Sequence, residues 1–178
     1  MSLDDSVCST YTRALLKSVR CVGSFAAVRQ KCQPNTIWIR YVTPDFDIYL
    51  VPDQKVDHVN ENRLMQINGL WGLERVRAYD RGRRTGAGVS IFILDTGVRV
   101  SHQDFTGRAS PALDMTIGGL VDCGDNNCAH DRQGHGTRFA GTAAGENYGV
   151  ASSAAIKSMK VLSDRGSGSW EWSYYTLG

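Results

Sequence analysis

The run Ile91-Phe92-Ile93-Leu94 ends abruptly on Asp95-Thr96-Gly97. Four apolar residues without polar alternation predict a strand buried on both faces, as in a parallel sheet covered by helices. A carboxylate at the end of such a strand needs a hydrogen-bonding or charged partner, because unpaired burial is costly. Forty residues on, Gly134-His135-Gly136-Thr137 opens a stretch rich in small residues, Ala140-Gly141-Thr142-Ala143-Ala144-Gly145. That composition predicts a closely packed helix over 135–145, with His135 at its start between two glycines that permit close backbone approach.

Around these two features the chain reads as alternating strands and helices, hence α/β. Leu15, Leu16, Val19, Val22, Ala26 and Ala27 recur at three- and four-residue spacing, which predicts an amphipathic helix over 11–31. Pro34-Asn35 breaks it. Short strands are expected at 37–42 and 46–51. Residues 1–52 thus form a small α+β segment, 53–69 a polar linker, and 70–178 a second unit. In that unit strands are expected at 89–94, within 111–120 and at 155–162, and a helix begins near Ser169. Residues 119–133 read as a Gly-, Asn- and Asp-rich loop.

Composition narrows the function classes. With 178 residues and a net charge of +2, the chain has no basic excess that would suit nucleic acid. Arg81-Gly82-Arg83-Arg84 is short and glycine-broken, and reads as a solvated loop. No apolar run approaches the roughly 20 residues needed to span a bilayer, so no membrane partner is expected. The acidic start Met1-Ser2-Leu3-Asp4-Asp5 does not have the pattern of a signal peptide. Five cysteines leave at least one thiol without an intrachain partner. Cys123 and Cys128 bracket Gly-Asp-Asn-Asn, and would close a local disulfide in an oxidising compartment.

An Asp and a His so presented are two members of a Ser-His-Asp hydrolase triad. Competing motifs fail on context. Aspartic peptidases need two Asp-Thr-Gly loops in β-rich lobes, and this chain has one in an α/β pattern. Gly86-Ala87-Gly88 precedes a strand, whereas a dinucleotide fingerprint follows one. Cys123, Cys128, His130 and His135 fit no common zinc spacing.

Over roughly residues 70–178 the chain resembles the subtilisin-like serine peptidases, in particular their proteinase K-like branch. The resemblance rests on Trp71-Gly72-Leu73, Leu94-Asp95-Thr96-Gly97-Val98, Ser101-His102-Gln103-Asp104-Phe105 and Gly134-His135-Gly136-Thr137 with Ala140-Gly141-Thr142. It continues through Tyr148-Gly149-Val150-Ala151, Lys160-Val161-Leu162 and Gly166-Ser167-Gly168-Ser169. It implies a partial subtilisin-like parallel sheet with helices on both faces. Asp95 would orient His135 as general base, and Gly166-Ser167-Gly168 would pair with an extended peptide or protein substrate. Leu162 and Trp170 would line side-chain pockets or, alternatively, serve as core residues. Residues 1–52 are similar to the end of a prodomain, a segment that assists folding and caps the site. No cofactor is required by this chemistry. Calcium is common in the family as a structural ion, and Asp104 and the Asp122–Asp125 loop could contribute ligands, although these residues read first as solvated loop carboxylates. The resemblance also implies a monomer in the secretory pathway or outside the cell.

The chain departs from the family in three places. Arg138 stands where a second histidine is usual, and the interval from Asp95 to His135 is long by about the Cys123–Cys128 loop. The nucleophile's Gly-Thr-Ser-Met-Ala and the oxyanion asparagine do not occur in the 178 residues. The expectation is therefore a truncated peptidase domain, inactive as it stands, or a catalytically dead peptide-binding or inhibitory module.

Overall fold

Strand β4 (Ser90–Asp95) lies beside β7 (Ala155–Lys160) in parallel, from Ser90 opposite Ala155 to Asp95 opposite Lys160. A computed structural model describes residues 7–12, 17–22, 44–50, 71–82 and 84–176. Strand β5 (Ala109–Asp114) flanks β7 on its other side, also parallel, with a register shift between Pro111 and Leu113. A short β6 (Val121–Asp122) adds antiparallel to β5, giving the order β4-β7-β5-β6. Central β7 has Ile156, Ser158, Met159 and Lys160 buried, as a strand covered on both sides should. The β-branched and aromatic residues Ile91, Phe92 and Ile93 suit β4 to the pleat.

Helix α2 (His135–Ala144) covers one face of this sheet. Its Ala140 and Ala144 are fully buried against Val98, Phe105 and Ile156, with Ile91 and Ile93 packed alongside. Small residues on the buried stripe let helix and strand approach closely. Arg108 closes the helix's far end. Its guanidinium donates to the carbonyls of Ala144 at 2.9 Å and Ala154 at 2.7 Å. Those contacts satisfy a terminal carbonyl that the helix itself cannot bond. On the opposite face of β4, Phe92 is 55% exposed.

A second cluster joins Met115, Val161 and Leu162 with Ile48, Leu50, Leu94 and Trp172. It lies under the antiparallel pair of β3 (Asp47–Tyr49) and β8 (Ser167–Ser169). Helix α1 (Trp71–Arg75) and a 3-10 turn at Ala78–Arg81 precede β4, and α3 (Trp170–Thr176) follows β8. The chain divides into two compact units, residues 1–46 with 177–178, and residues 47–176. No helix of the described residues is long and apolar enough to cross a membrane.

The expected helix over 11–31 is not what forms where the chain is described. Val7–Thr12 (β1) and Lys17–Val22 (β2) make an antiparallel pair, with Val7 opposite Val22 and Thr10 opposite Val19. Val19 and Val22 fit a helical period, but β-branched residues set opposite one another suit a ladder better. Residues 13–16 and 23–31 of that helix, the strand at 37–42 and the linker at 53–69 lie outside the described residues. The strand expected within 111–120 is earlier, at 109–114, and 116–119 is bent. The expected strand at 46–51 is present over 47–49.

Candidate active site

Asp95 terminates β4 and is 8% exposed. The exit from the strand is tight. Gly97 has φ +106°, and a Cβ there would lie 2.4 Å from the Ala129 carbonyl oxygen. The chain turns, and the Thr96 amide donates to Asp95 Oδ1 at 2.6 Å. Across from it, Gly134 (φ 105°) precedes α2 and places His135 at the helix's first position. The two glycines around His135 act differently. Gly134 supplies a left-handed backbone, whereas Gly136 supplies space, since a Cβ on it would sit 2.1 Å from the Gly97 carbonyl oxygen.

This close approach brings the pair together. His135 Nδ1 lies 2.9 Å from both Asp95 oxygens. Both side chains are shielded, His135 at 13% and Asp95 at 11% exposure. An ionised carboxylate only accepts, so Nδ1 is the protonated nitrogen of the neutral ring and Nε2 is left as the acceptor. Phe139, one turn along α2, stacks on the imidazole with centroids 4.5 Å apart and planes inclined by 30°.

Asp131 was not expected in the site, yet it organises the surrounding backbone. It is 6% exposed. Its Oδ1 accepts from Thr96 Oγ1 at 2.9 Å, Gln133 N at 3.0 Å and Gly134 N at 2.8 Å. Its Oδ2 accepts from the Thr137 amide at 2.9 Å and from the Thr137 hydroxyl. Burial alone would raise the pKa of this carboxyl. Hydrogen bonds from Thr137, Gly134 and Thr96 outweigh burial and hold it below the ordinary 3.8. In the sequence Asp131 sits in a polar loop. The signal available was an Asp shortly before a helix start, a common capping arrangement.

Of Gly166-Ser167-Gly168, expected as the substrate edge, Ser167 and Gly168 lie in β8, and that strand is paired with β3. Gly168 of β8 faces Ile48, Ser167 faces Tyr49, and the Leu50 amide donates to the Gly166 carbonyl at 2.9 Å. Ile48 and Leu50 turn into the cluster with Leu162, while Asp47 and Tyr49 are exposed. Leu162 is 7% exposed, in the core beneath the edge. Trp170 is 45% exposed at the start of α3. Trp172, not singled out from sequence, is the indole that packs against this cluster. A cleft of about 900 Å³ opens beside β8, lined by residues including Asp114, His130, Lys160, Asp164 and Ser167. Lys160 is buried, and its ammonium donates to the Thr96 carbonyl and to Asp164 Oδ1 at 2.8 Å. The Lys160 bond, opposed by burial and aided by Arg132, holds Asp164 below the usual carboxylate range.

Cys123 and Cys128 are joined in a disulfide, with Cα atoms 5.4 Å apart, so neither is a thiolate for zinc. The carboxylates named for calcium are engaged locally. Asp104 Oδ1 accepts from Asn147 N and Nδ2, and Asp125 Oδ1 from Asn127 N and Cys128 N. Among the described residues no three His, Cys, Asp or Glu side chains converge as a metal site.

Known proteins resemble this chain in sequence. Subtilisin-like protease 4 of Trichophyton equinum is 40% identical over 135 residues, covering 67% of this chain and 32% of the relative. Subtilisin-like protease 11 of Arthroderma gypseum is 36% identical over 136 residues, covering 68% and 32%. The chain thus spans about a third of the length of the curated relatives it matches. Among solved structures, a cold adapted subtilisin-like serine proteinase is 38% identical over 48% of this chain and 29% of its own, with TM-score 0.43. The subtilase family is matched over residues 86–176, from the approach to β4 through α3, and the chain belongs to that family of serine endopeptidases.

Proposed function

We propose that this chain is the N-terminal portion of a secreted subtilisin-like endopeptidase, in which Asp95 and His135 form the general-base pair. The observation that carries this reading is the pair of 2.9 Å contacts from His135 Nδ1 to Asp95. In this chemistry His135 Nε2 takes the proton of an attacking serine hydroxyl, and later returns it to the leaving amine. Asp95 holds the required tautomer and stabilises the imidazolium that forms. An extended substrate would lie along Gly166-Ser167-Gly168 through main-chain hydrogen bonds. The Cys123–Cys128 disulfide supports an oxidising compartment.

The nucleophile and the oxyanion donor are not among the 178 residues, so this chain alone should not turn over peptide. The test is incubation of the purified 178-residue chain with a fluorogenic peptide library. No hydrolysis is expected. Hydrolysis blocked by a serine-directed inhibitor would overturn the proposal.

The β3–β8 ladder favours a second reading, in which the chain binds extended peptide without cutting it. Residues 47–50 already occupy the edge that a substrate would use. If residues 1–52 are the end of a prodomain, this is its capping contact. Deleting residues 1–50 should then expose β8 and raise binding of an Asp47–Leu50 peptide. Unchanged binding would remove this reading.

A further inference from the structure

The catalytic pair comes from two separate elements, the end of β4 and the start of α2. Nothing in either element alone fixes the distance between them. Proton transfer tolerates about half an ångström of misplacement before rate is lost, so a device that sets the spacing matters as much as the pair. Asp131 touches both sides. Through Oδ1 it holds the hydroxyl of Thr96, the residue after Asp95, and the amide of Gly134, the residue before His135. Through Oδ2 it holds the amide and hydroxyl of Thr137, two residues after His135. The Thr96 hydroxyl, having given its proton to Asp131, accepts from the Gly136 amide at 3.0 Å. The Thr137 hydroxyl likewise accepts from the Arg99 amide at 3.0 Å. Both hydroxyls are therefore oriented, each accepting from a backbone amide and passing its own proton to Asp131, where the two relays end.

Resting on the reading of Asp95 and His135 as the general-base pair, we infer that Asp131 is a positioning residue that sets their spacing by bolting the exit of β4 to the first turn of α2. Only an acceptor-only group fits the place. An asparagine of the same shape would turn an NH2 toward either the Thr137 amide or the Thr96 hydroxyl and Gln133–Gly134 amides, donor against donor. One side of the bolt would then open while the volume stayed filled.

The test is proton NMR of the full 178-residue chain. A neutral or protonated His135 bonded to Asp95 through Nδ1 gives a far-downfield Nδ1–H resonance, assigned by its absence in His135→Gln. In Asp131→Asn that resonance is expected to disappear into solvent exchange, while methyl signals of Val98 and Ile156 keep their native dispersion. Thr96→Val, which keeps shape but removes the hydroxyl bridge, should lose the same signal, and Thr96→Ser should restore it. If Asp131→Asn does not fold, the Thr96 pair decides. A resonance unchanged in Asp131→Asn or in Thr96→Val would overturn the inference, leaving Asp131 a stabilising cap. The readout needs no turnover, so an absence of peptidase activity in any longer form of the chain would count against the enzyme reading and leave this result untouched.

Discussion

Replacing Gly136 by alanine should damage the molecule, and replacing Gly141, five residues along the same helix, should help it. A Cβ at position 136 would lie 2.1 Å from the Gly97 carbonyl oxygen, 3.0 Å from Asp95 Cβ and 3.2 Å from Asp95 Oδ1. Carbon–oxygen contacts settle no closer than about 3.3 Å, so helix and loop must part by about 1.2 Å. That movement stretches the 3.0 Å bond from the Gly136 amide to Thr96 and the 2.9 Å contacts of His135 beyond useful range. Overpacking of this kind costs about 1–3 kcal/mol. A lost buried hydrogen bond adds about 1 kcal/mol. The gain from alanine's helix preference, at most about 1 kcal/mol and smaller in a first turn, does not offset this. At Gly141 nothing lies within 4 Å of the added methyl, so only the favourable helix term remains, up to about 1 kcal/mol. Urea unfolding of the three proteins measures the difference, which should be roughly 2–4 kcal/mol between the two variants. Equal stability of Gly136→Ala and Gly141→Ala would refute the claim that close approach at Gly136 builds the site.

Arg108→Leu should lower stability by about 1–3 kcal/mol, because the carbonyls of Ala144 and Ala154 lose a charged donor; urea unfolding checks it. The folded pKa of Asp131 lies below its unfolded 3.8, so its contribution is complete above pH 3.8 and is lost as pH falls through the lower folded value. Urea midpoints measured downward from pH 3.8 should accordingly fall, with a shallower slope in Asp131→Asn. Phe139→Ala should cost about 0.5 kcal/mol from the stacked pair, the low end for a ring that is half exposed, and should speed carbethoxylation of His135. Reducing the Cys123–Cys128 loop should cost about 2 kcal/mol on chain-entropy grounds, read as a lower urea midpoint in dithiothreitol.

Much of the site is legible in the sequence because it is local and glycine-marked. The apolar run up to Asp95 and the glycines beside His135 signal buried backbone that approaches closely, and those features occur together for few reasons. Asp131 carries no such mark. Its importance comes from donors at positions 96, 133, 134 and 137, and only the folded chain brings Thr96 to it. For Leu162 and Trp170 the resemblance suggests a role, but it does not say which of two nearby indoles turns inward. Trp172 does so, and Trp170 stays 45% exposed. The antiparallel pairing of Val7–Thr12 with Lys17–Val22 is not legible, because the three-residue spacing of Val19 and Val22 points to a helix, and only pairing along the chain, Val22 with Val7 and Val19 with Thr10, overrides it.

The proposal that Asp95 and His135 form a general-base pair requires a serine nucleophile, and the family's serine motif is not among these 178 residues. The most direct measurement is peptide hydrolysis by this chain joined at its end to the Gly-Thr-Ser-Met-Ala-bearing portion of a subtilisin-like relative, compared with the same protein carrying His135→Ala. Turnover in the first and a loss on the order of a million-fold in kcat in the second is the predicted result. Retained turnover in His135→Ala would exclude His135 as the general base.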